Sequence, residues 1–227
     1  MKTHRSFISA VLLAGFSLTS CVSTKNVPLS ADDRAAMRGK TVVPTKRDMP
    51  GFGVMKPETM VMASLGGAIG GAIAGGIADS QGRAQVAKHR LPIPDETIST
   101  QVMKKLVAKT GVRPLPAPAS KVADEKPASI AAQYQPADYV LDVRTTGWMG
   151  MYYPMTFTKY FITYGAQMRL IEAKSGRIVA QGFGSYQGKD KANAPNFSGI
   201  YANDAAFLRA ETRKGTDIAI QTFTAQF

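Results

Sequence analysis

The chain has 227 residues, 44% hydrophobic and 19% charged, proportions of a globular protein that exclude both wholesale disorder and a polytopic membrane protein. Its 28 Lys and Arg outweigh 16 Asp and Glu, giving a formal charge of +12. One cysteine and two histidines, His4 and His89, exclude disulfide frameworks, Cys-rich zinc sites and His-pair metal sites, so no metal is expected.

Residues 1–20 start with Lys2 and Arg5, continue as an apolar run from Phe7 to Leu18, and end in small residues before Cys21. That order predicts a secretory signal, and the run is shorter than the roughly 20 apolar residues of a membrane span, so cleavage is expected. Leu18, Thr19, Ser20 and Cys21 resemble the lipobox of bacterial lipoproteins. The resemblance implies diacylation of the Cys21 thiol and cleavage just before it, and a covalent lipid is the only non-protein group expected. Taken without it, Cys21 is a small residue near a conventional cleavage site. Two or more acyl chains anchor a protein stably without any spanning helix. By resemblance to sorted Gram-negative lipoproteins, Val22 after the cysteine implies outer-membrane delivery, facing the periplasm.

Residues 21–57 are polar and basic, with Lys25, Arg34, Arg38, Lys40, Lys46, Arg47 and Lys56 interrupted by Pro28, Pro44, Pro50 and Pro57. This composition predicts an extended tether that either lies along anionic lipid or envelope polymer or is merely solvated. The segment 58–79 follows, uncharged from Thr59 to Ala78. Gly67, Gly71 and Gly75 recur every four residues beside a second small stripe that includes Gly66 and Gly70. On a helix these stripes make a smooth face for close backbone approach. Its six glycines each cost a water-exposed helix about 1 kcal/mol relative to alanine, so such a helix needs a bilayer or a packing partner. The segment resembles the glycine-zipper region of small outer-membrane lipoproteins. It is expected to insert in a membrane or self-associate, a flexible linker or a buried soluble helix being the alternatives. Residues 80–94 read as a linker.

From residue 95 to 227 the pattern is that of a small α+β domain, an antiparallel sheet flanked by helices. Asp95 as cap, then Ile98, Val102, Leu106 and Val107, then Gly111, predict a first helix. The stretch from Pro114 reads as a loop. Alternation at Tyr139, Leu141, Val143 and Thr145 predicts one strand, alternation from Tyr160 to Leu170 a second, and a third starts at Arg177. Ala173, Lys174, Ser175 and Gly176 have the composition of a tight turn, making the second and third strands antiparallel neighbours. A last helix is expected from a cap at Asp204, with Phe207, Leu208, Ile218 and Phe223 on the sheet. The text ADYVLDVRTTGW with YGAQMRLIEAKSGRIVAQGFGSY resembles the central sheet of uncharacterised proteobacterial lipoproteins. The order helix, strands, helix is similar to small periplasmic domains that bind partner proteins, activators of cell-wall synthases among them.

Chemistry is sparse. GFGSYQGKD fails as a phosphate loop because Phe183 stands where its first Gly belongs and Asp190 where its Ser or Thr belongs, so the glycines read as a bulge or turn. His89 falls in the basic linker, outside the folded domain. Asp138 with Asp142 and Asp124 with Glu125 are the available carboxylate pairs, but Asp142 beside Arg144 reads as the polar side of its strand. No catalytic residue and no nucleic-acid partner are expected. The segment 147–157 instead resembles a contact surface, with Trp148, Met151, Tyr152, Tyr153 and Phe157 as candidate anchors. Folding back over its own sheet, or extending the strands, is the alternative. The expectation is a non-enzymatic envelope lipoprotein whose partners are membrane lipid, copies of itself, a periplasmic protein or an anionic envelope polymer. The alternative function is a regulatory module docking through the aromatic loop on a periplasmic enzyme of envelope biogenesis.

Overall fold

The computed structural model describes residues 25–48, 51–55, 82–153 and 155–227. Cys21 and Gly66, Gly67, Gly70, Gly71 and Gly75 lie outside them. The elements in chain order are α1 (Ala31–Ala36), β1 (Thr41–Pro44), β2 (Gly53–Val54), α2 (82–88), α3 (Pro94–Thr110), β3 (Arg113–Pro114), α4 (Pro127–Gln133), β4 (Tyr139–Tyr152), β5 (Tyr160–Glu172), β6 (Ile178–Gln187), a 3-10 turn (Ser198–Ile200) and α5 (Ala202–Thr224).

The fold is α+β, as expected, and its sheet is mixed. β4, β5 and β6 form an antiparallel meander, while β1 and β2 pair in parallel with the other edge of β4, and β3 pairs in parallel with β1. β1 sits against Tyr139–Leu141 and β2 against Met149 and Gly150, so two short strands share one long edge. Much of the stretch expected as a tether is therefore built into the domain. Met37, Val42 and Phe52 are buried in its main core. Extended pieces this short have no stability alone and form only where β4 offers a paired edge.

The β5–β6 turn follows its composition. Gly176 takes φ +70, a conformation that costs glycine no Cβ clash, and its N–H donates to the Glu172 carbonyl. α3 starts with Pro94 in its first turn and ends at Gly111 with φ +71, as its punctuation predicts. Its N-cap is Ile93, however, and Asp95 lies in the first turn, where it accepts from the Thr145 N–H at 3.1 Å and Oγ1 at 2.5 Å. α5 opens on a left-handed turn, Asn203, Asp204 and Ala205 having φ of 51, 54 and 58°, and its regular right-handed turns follow, close to the expected cap at Asp204. α4 was not legible in a stretch dominated by Pro, Ala and Lys.

α3 and α5 cover one face of the sheet. Ile98, Val102 and Leu106 from α3 and Leu208, Ala219 and Phe223 from α5 join Leu141, Ile162, Tyr164, Met168 and Leu170 in the main core. Gly182 and Gly184 lie inside β6, not at a bulge, and they let α5 approach closely. A Cβ at Gly184 would come 2.7 Å from the Ala219 Cα, and one at Gly182 2.6 Å from the Phe223 ring. On the opposite face α4 covers one end only, with Ile130, Ala131 and Tyr134 against Val140, Ile171 and Val43. The other end carries the β4–β5 hairpin.

Candidate functional site

A buried polar cluster marks one end of the sheet and a run of aromatic side chains the other. At the α4 end, on the polar side of its strand, Asp142 is fully buried. Arg47 Nε lies 2.6 Å from its Oδ1, and Arg169 Nη2 and Nε lie 2.6 and 3.0 Å from its Oδ2. Glu125 pairs with Arg144, whose pKa is lowered to about 10 by burial and by the neighbouring Arg169 and Arg47. Asp138 accepts from the Thr41 N–H and Oγ1, both at 2.8 Å, and the backbone bond leads in holding its carboxyl below the ordinary value. A carboxylate that already accepts from two fixed partners is poorly placed to abstract or deliver a proton. This cluster ties the loop before α4 to the sheet.

The opposite end is apolar and partly open. β4 runs on through the segment expected as a loop, so its alternation turns Trp148 inward. The indole is 1% exposed, its Nε1 donates to Thr212 Oγ1 at 3.0 Å, and its ring lies 5.3 Å from Phe52. Trp148 is thus removed from any contact surface. Met151, Tyr152 and Tyr153 are half-buried, while Phe157 is 54% exposed and Met155 91% exposed at the hairpin tip. Both tip residues have positive φ, 67° for Met155 and 46° for Phe157. The tip is closed by the Tyr153 N–H donating to the Lys159 carbonyl and by the Thr156 N–H donating to the Tyr153 carbonyl.

A run of ring contacts links tip to core. Phe157 lies 5.3 Å from Tyr152, Tyr152 6.2 Å from Tyr160, Tyr160 6.0 Å from Phe197, Phe197 6.1 Å from Tyr201 and Tyr201 6.2 Å from Phe52. Such tilted and edge-on pairs each add about 0.5–1.5 kcal/mol beyond area burial, so the tip rests on a stiff base. His89 joins this run, stacked 6.0 Å from Tyr201 with Nδ1 3.1 Å from Asp204. It is buried inside the folded domain, not in a linker outside it, because the chain from α2 to Leu91 packs onto the core through Val86 and Leu91.

Beside the tip lies a cleft of about 230 Å³ lined by Tyr153, Phe161, Asp190, Asn193, Glu211 and Lys214. Glu211 accepts from Tyr186 Oη and Lys214 Nζ, both at 2.6 Å. Burial and then the Glu211 bond push the Tyr186 phenol well up, and the Glu211 bond raises Lys214. Lys159 Nζ donates to the carbonyls of Lys191 and Ala192, drawing the basic loop 189–192 against the hairpin. Among the described residues no group of His, Cys, Asp and Glu could hold a metal ion, and no helix is long and apolar enough to cross a membrane.

No protein-family model matches the chain, and no curated protein matches it either. Solved structures similar to it include the PelC dodecamer from Paraburkholderia phytofirmans, at 15% identity over 89% of this chain and 94% of that one, with a TM-score of 0.40. Lipoprotein GNA1162 from Neisseria meningitidis matches at 13% identity over 77% of this chain and 96% of that one, with a TM-score of 0.33. The LpoB C-terminal domain from Salmonella enterica matches at 12% identity over 67% and 85%, with a TM-score of 0.23. The structures similar to this chain thus include a bacterial lipoprotein.

Proposed function

We propose that the chain is a non-enzymatic lipoprotein of the cell envelope, held on a membrane through an acylated Cys21. Its α+β domain then serves as a structural or binding unit in the periplasm, and the uncharged stretch from Thr59 to Ala78 associates with the bilayer or with copies of itself. The carboxylates engaged by Thr41, Arg47 and Arg169 support a structural over a catalytic role.

The observation that carries this reading is where the uncharged stretch is rooted. Its upstream root is Met55, whose N–H donates to the Gly150 carbonyl at 2.9 Å beside β4. Its downstream root is Gly82, packed so closely on the Phe52 backbone that a Cβ there would lie 1.8 Å from the Phe52 carbonyl oxygen. The chain leaves and rejoins the domain at one place. A single crossing puts the ends of a segment on opposite sides of a bilayer, so the reading that fits these roots has the stretch entering and leaving on the same side.

Metabolic labelling with radioactive palmitate tests the anchor. The wild-type chain is expected to take up label and the Cys21→Ala chain none. An unlabelled wild-type chain that is nonetheless exported would overturn the lipoprotein reading.

A further inference from the structure

We propose that the β4–β5 hairpin end of the domain stands on the lipid bilayer, with Met155 and Phe157 buried in its interfacial layer and the lysines beside them against anionic head groups. This rests on the envelope reading above and adds which residues touch lipid and which way the domain points. Three features of the fold point to the same end.

The first is the direction of the N-terminal segment. Val27 and Gln181 exchange both backbone hydrogen bonds at 2.8 Å in an antiparallel bridge, and Asn26 Oδ1 accepts from the Phe183 N–H at 2.9 Å. β6 advances toward Gln187, which stands level with Thr163 and Met149 near the hairpin. Followed backwards from Val27, the chain therefore heads for the hairpin end. Cys21 lies four residue steps before Lys25, a span of at most about 14 Å. The level of Phe183 and Gln167 lies about 24 Å from Tyr160 along β5. Cys21 can thus reach to roughly 10 Å of the level of Tyr160 at the base of the tip, so an acyl chain there lies toward the same end of the domain.

The second is the pair of roots at Met55 and Gly82. Both lie where β2 meets Met149 and Gly150, in the half of β4 that leads into the hairpin. The third is the tip itself. Met155 and Phe157 are the most exposed large apolar side chains among the described residues. Exposed Lys191 has its Nζ 5.9 Å from the Tyr153 ring centre at the base of the tip, and half-exposed Lys159 is tied to the same loop, in which Asp190 is the acidic residue. An apolar point flanked on one side by two lysines matches an anionic interface on both counts.

The chain's single cysteine makes the test direct. A Cys21→Ser chain carrying Met155→Cys is labelled with an environment-sensitive fluorophore and mixed with vesicles of phosphatidylethanolamine and phosphatidylglycerol. The control carries the label at Lys174→Cys, in the exposed turn at the other end of the sheet. The expected result is a several-fold rise in emission at position 155, quenched by brominated lipid, with no change at position 174. In the Cys21→Ser chain, adding Met155→Ser and Phe157→Ser should weaken vesicle binding about tenfold while Trp148 emission reports an intact fold. Unchanged emission at position 155, or an equal response at 174, overturns the proposal. If the chain binds vesicles while position 155 stays silent, the uncharged stretch is the contact and the tip is left to a protein partner. Because the test needs no acyl group, its failure is separate from failure of palmitate labelling.

Discussion

Arg169 holds Asp142 from the neighbouring strand with two nitrogens, Nη2 at 2.6 Å and Nε at 3.0 Å from the same oxygen. Arg47 takes the other oxygen from a segment 95 residues away in sequence. The buried carboxylate thus joins the N-terminal stretch to the centre of the sheet.

Replacing Asp142 by Ala leaves two arginines, 6 and 7% exposed, without their main counter-charge. Removing one partner of a buried pair typically costs about 3–5 kcal/mol. Urea unfolding of Asp142→Ala is expected to show a loss of that size. A loss below about 1 kcal/mol would mean that the arginines find water and that the cluster is peripheral.

Trp148 and the tip residues should separate cleanly. Trp148→Ala empties a buried ring site and leaves Thr212 without its donor, at a cost of about 3–5 kcal/mol. Met155→Ser removes an exposed side chain and should change stability by no more than about 0.5 kcal/mol, while Phe157→Ser also loses the Tyr152 ring contact and should cost about 0.5–1.5 kcal/mol. Thermal unfolding followed by circular dichroism checks both, and a loss in Phe157→Ser as large as that in Trp148→Ala would show that the tip is a core element.

Asp138 supplies a pH dependence of known sign. Its carboxyl is held below the ordinary 3.8, first by the Thr41 backbone bond, so it titrates lower in the folded chain than in the unfolded one. Its stabilisation is complete above pH 3.8 and is lost as pH falls through the depressed value. The carboxyl is 36% exposed, so the effect is expected to be about 1 kcal/mol or less. Asp138→Asn should be less stable than wild type at neutral pH, and the gap should close as pH falls below 3.8. A gap that widens in acid would contradict the assignment.

Gly184 faces the Ala219 backbone, which cannot swing aside as a side-chain end can. Gly184→Val is expected to push α5 off β6 and cost about 1–3 kcal/mol by overpacking. Equal urea midpoints for the variant and wild type would show that the helix shifts freely.

Local signals were the readable ones. The turn at Ala173–Gly176, the helix stop at Gly111 and the alternation from Tyr160 to Leu170 each depend on neighbours in sequence, and the structure carries all three. β1 and β2 were hidden because Val42 and Phe52 become core only through parallel pairing with strands up to a hundred residues away. Alternation assigned Asp142 to the polar face correctly but could not show that α4 and two arginines close over it. His89, between Lys88 and Arg90, was read as lying outside the folded domain, yet its neighbours in space are Tyr201 and Asp204. Of the contact surface, Phe157 was legible as an aromatic between strands. The inward turn of Trp148 required knowing that β4 continues to Tyr152.

The membrane role of the uncharged stretch is open to one direct measurement. The Cys21→Ala chain, exported by a replacement cleavable signal, is washed in alkaline carbonate and its membrane and soluble fractions are compared. Retention in the membrane fraction is the result expected if the stretch rooted at Met55 and Gly82 associates with the bilayer independently of lipid. Full release of a folded chain would contradict this and leave the acyl group as the sole anchor.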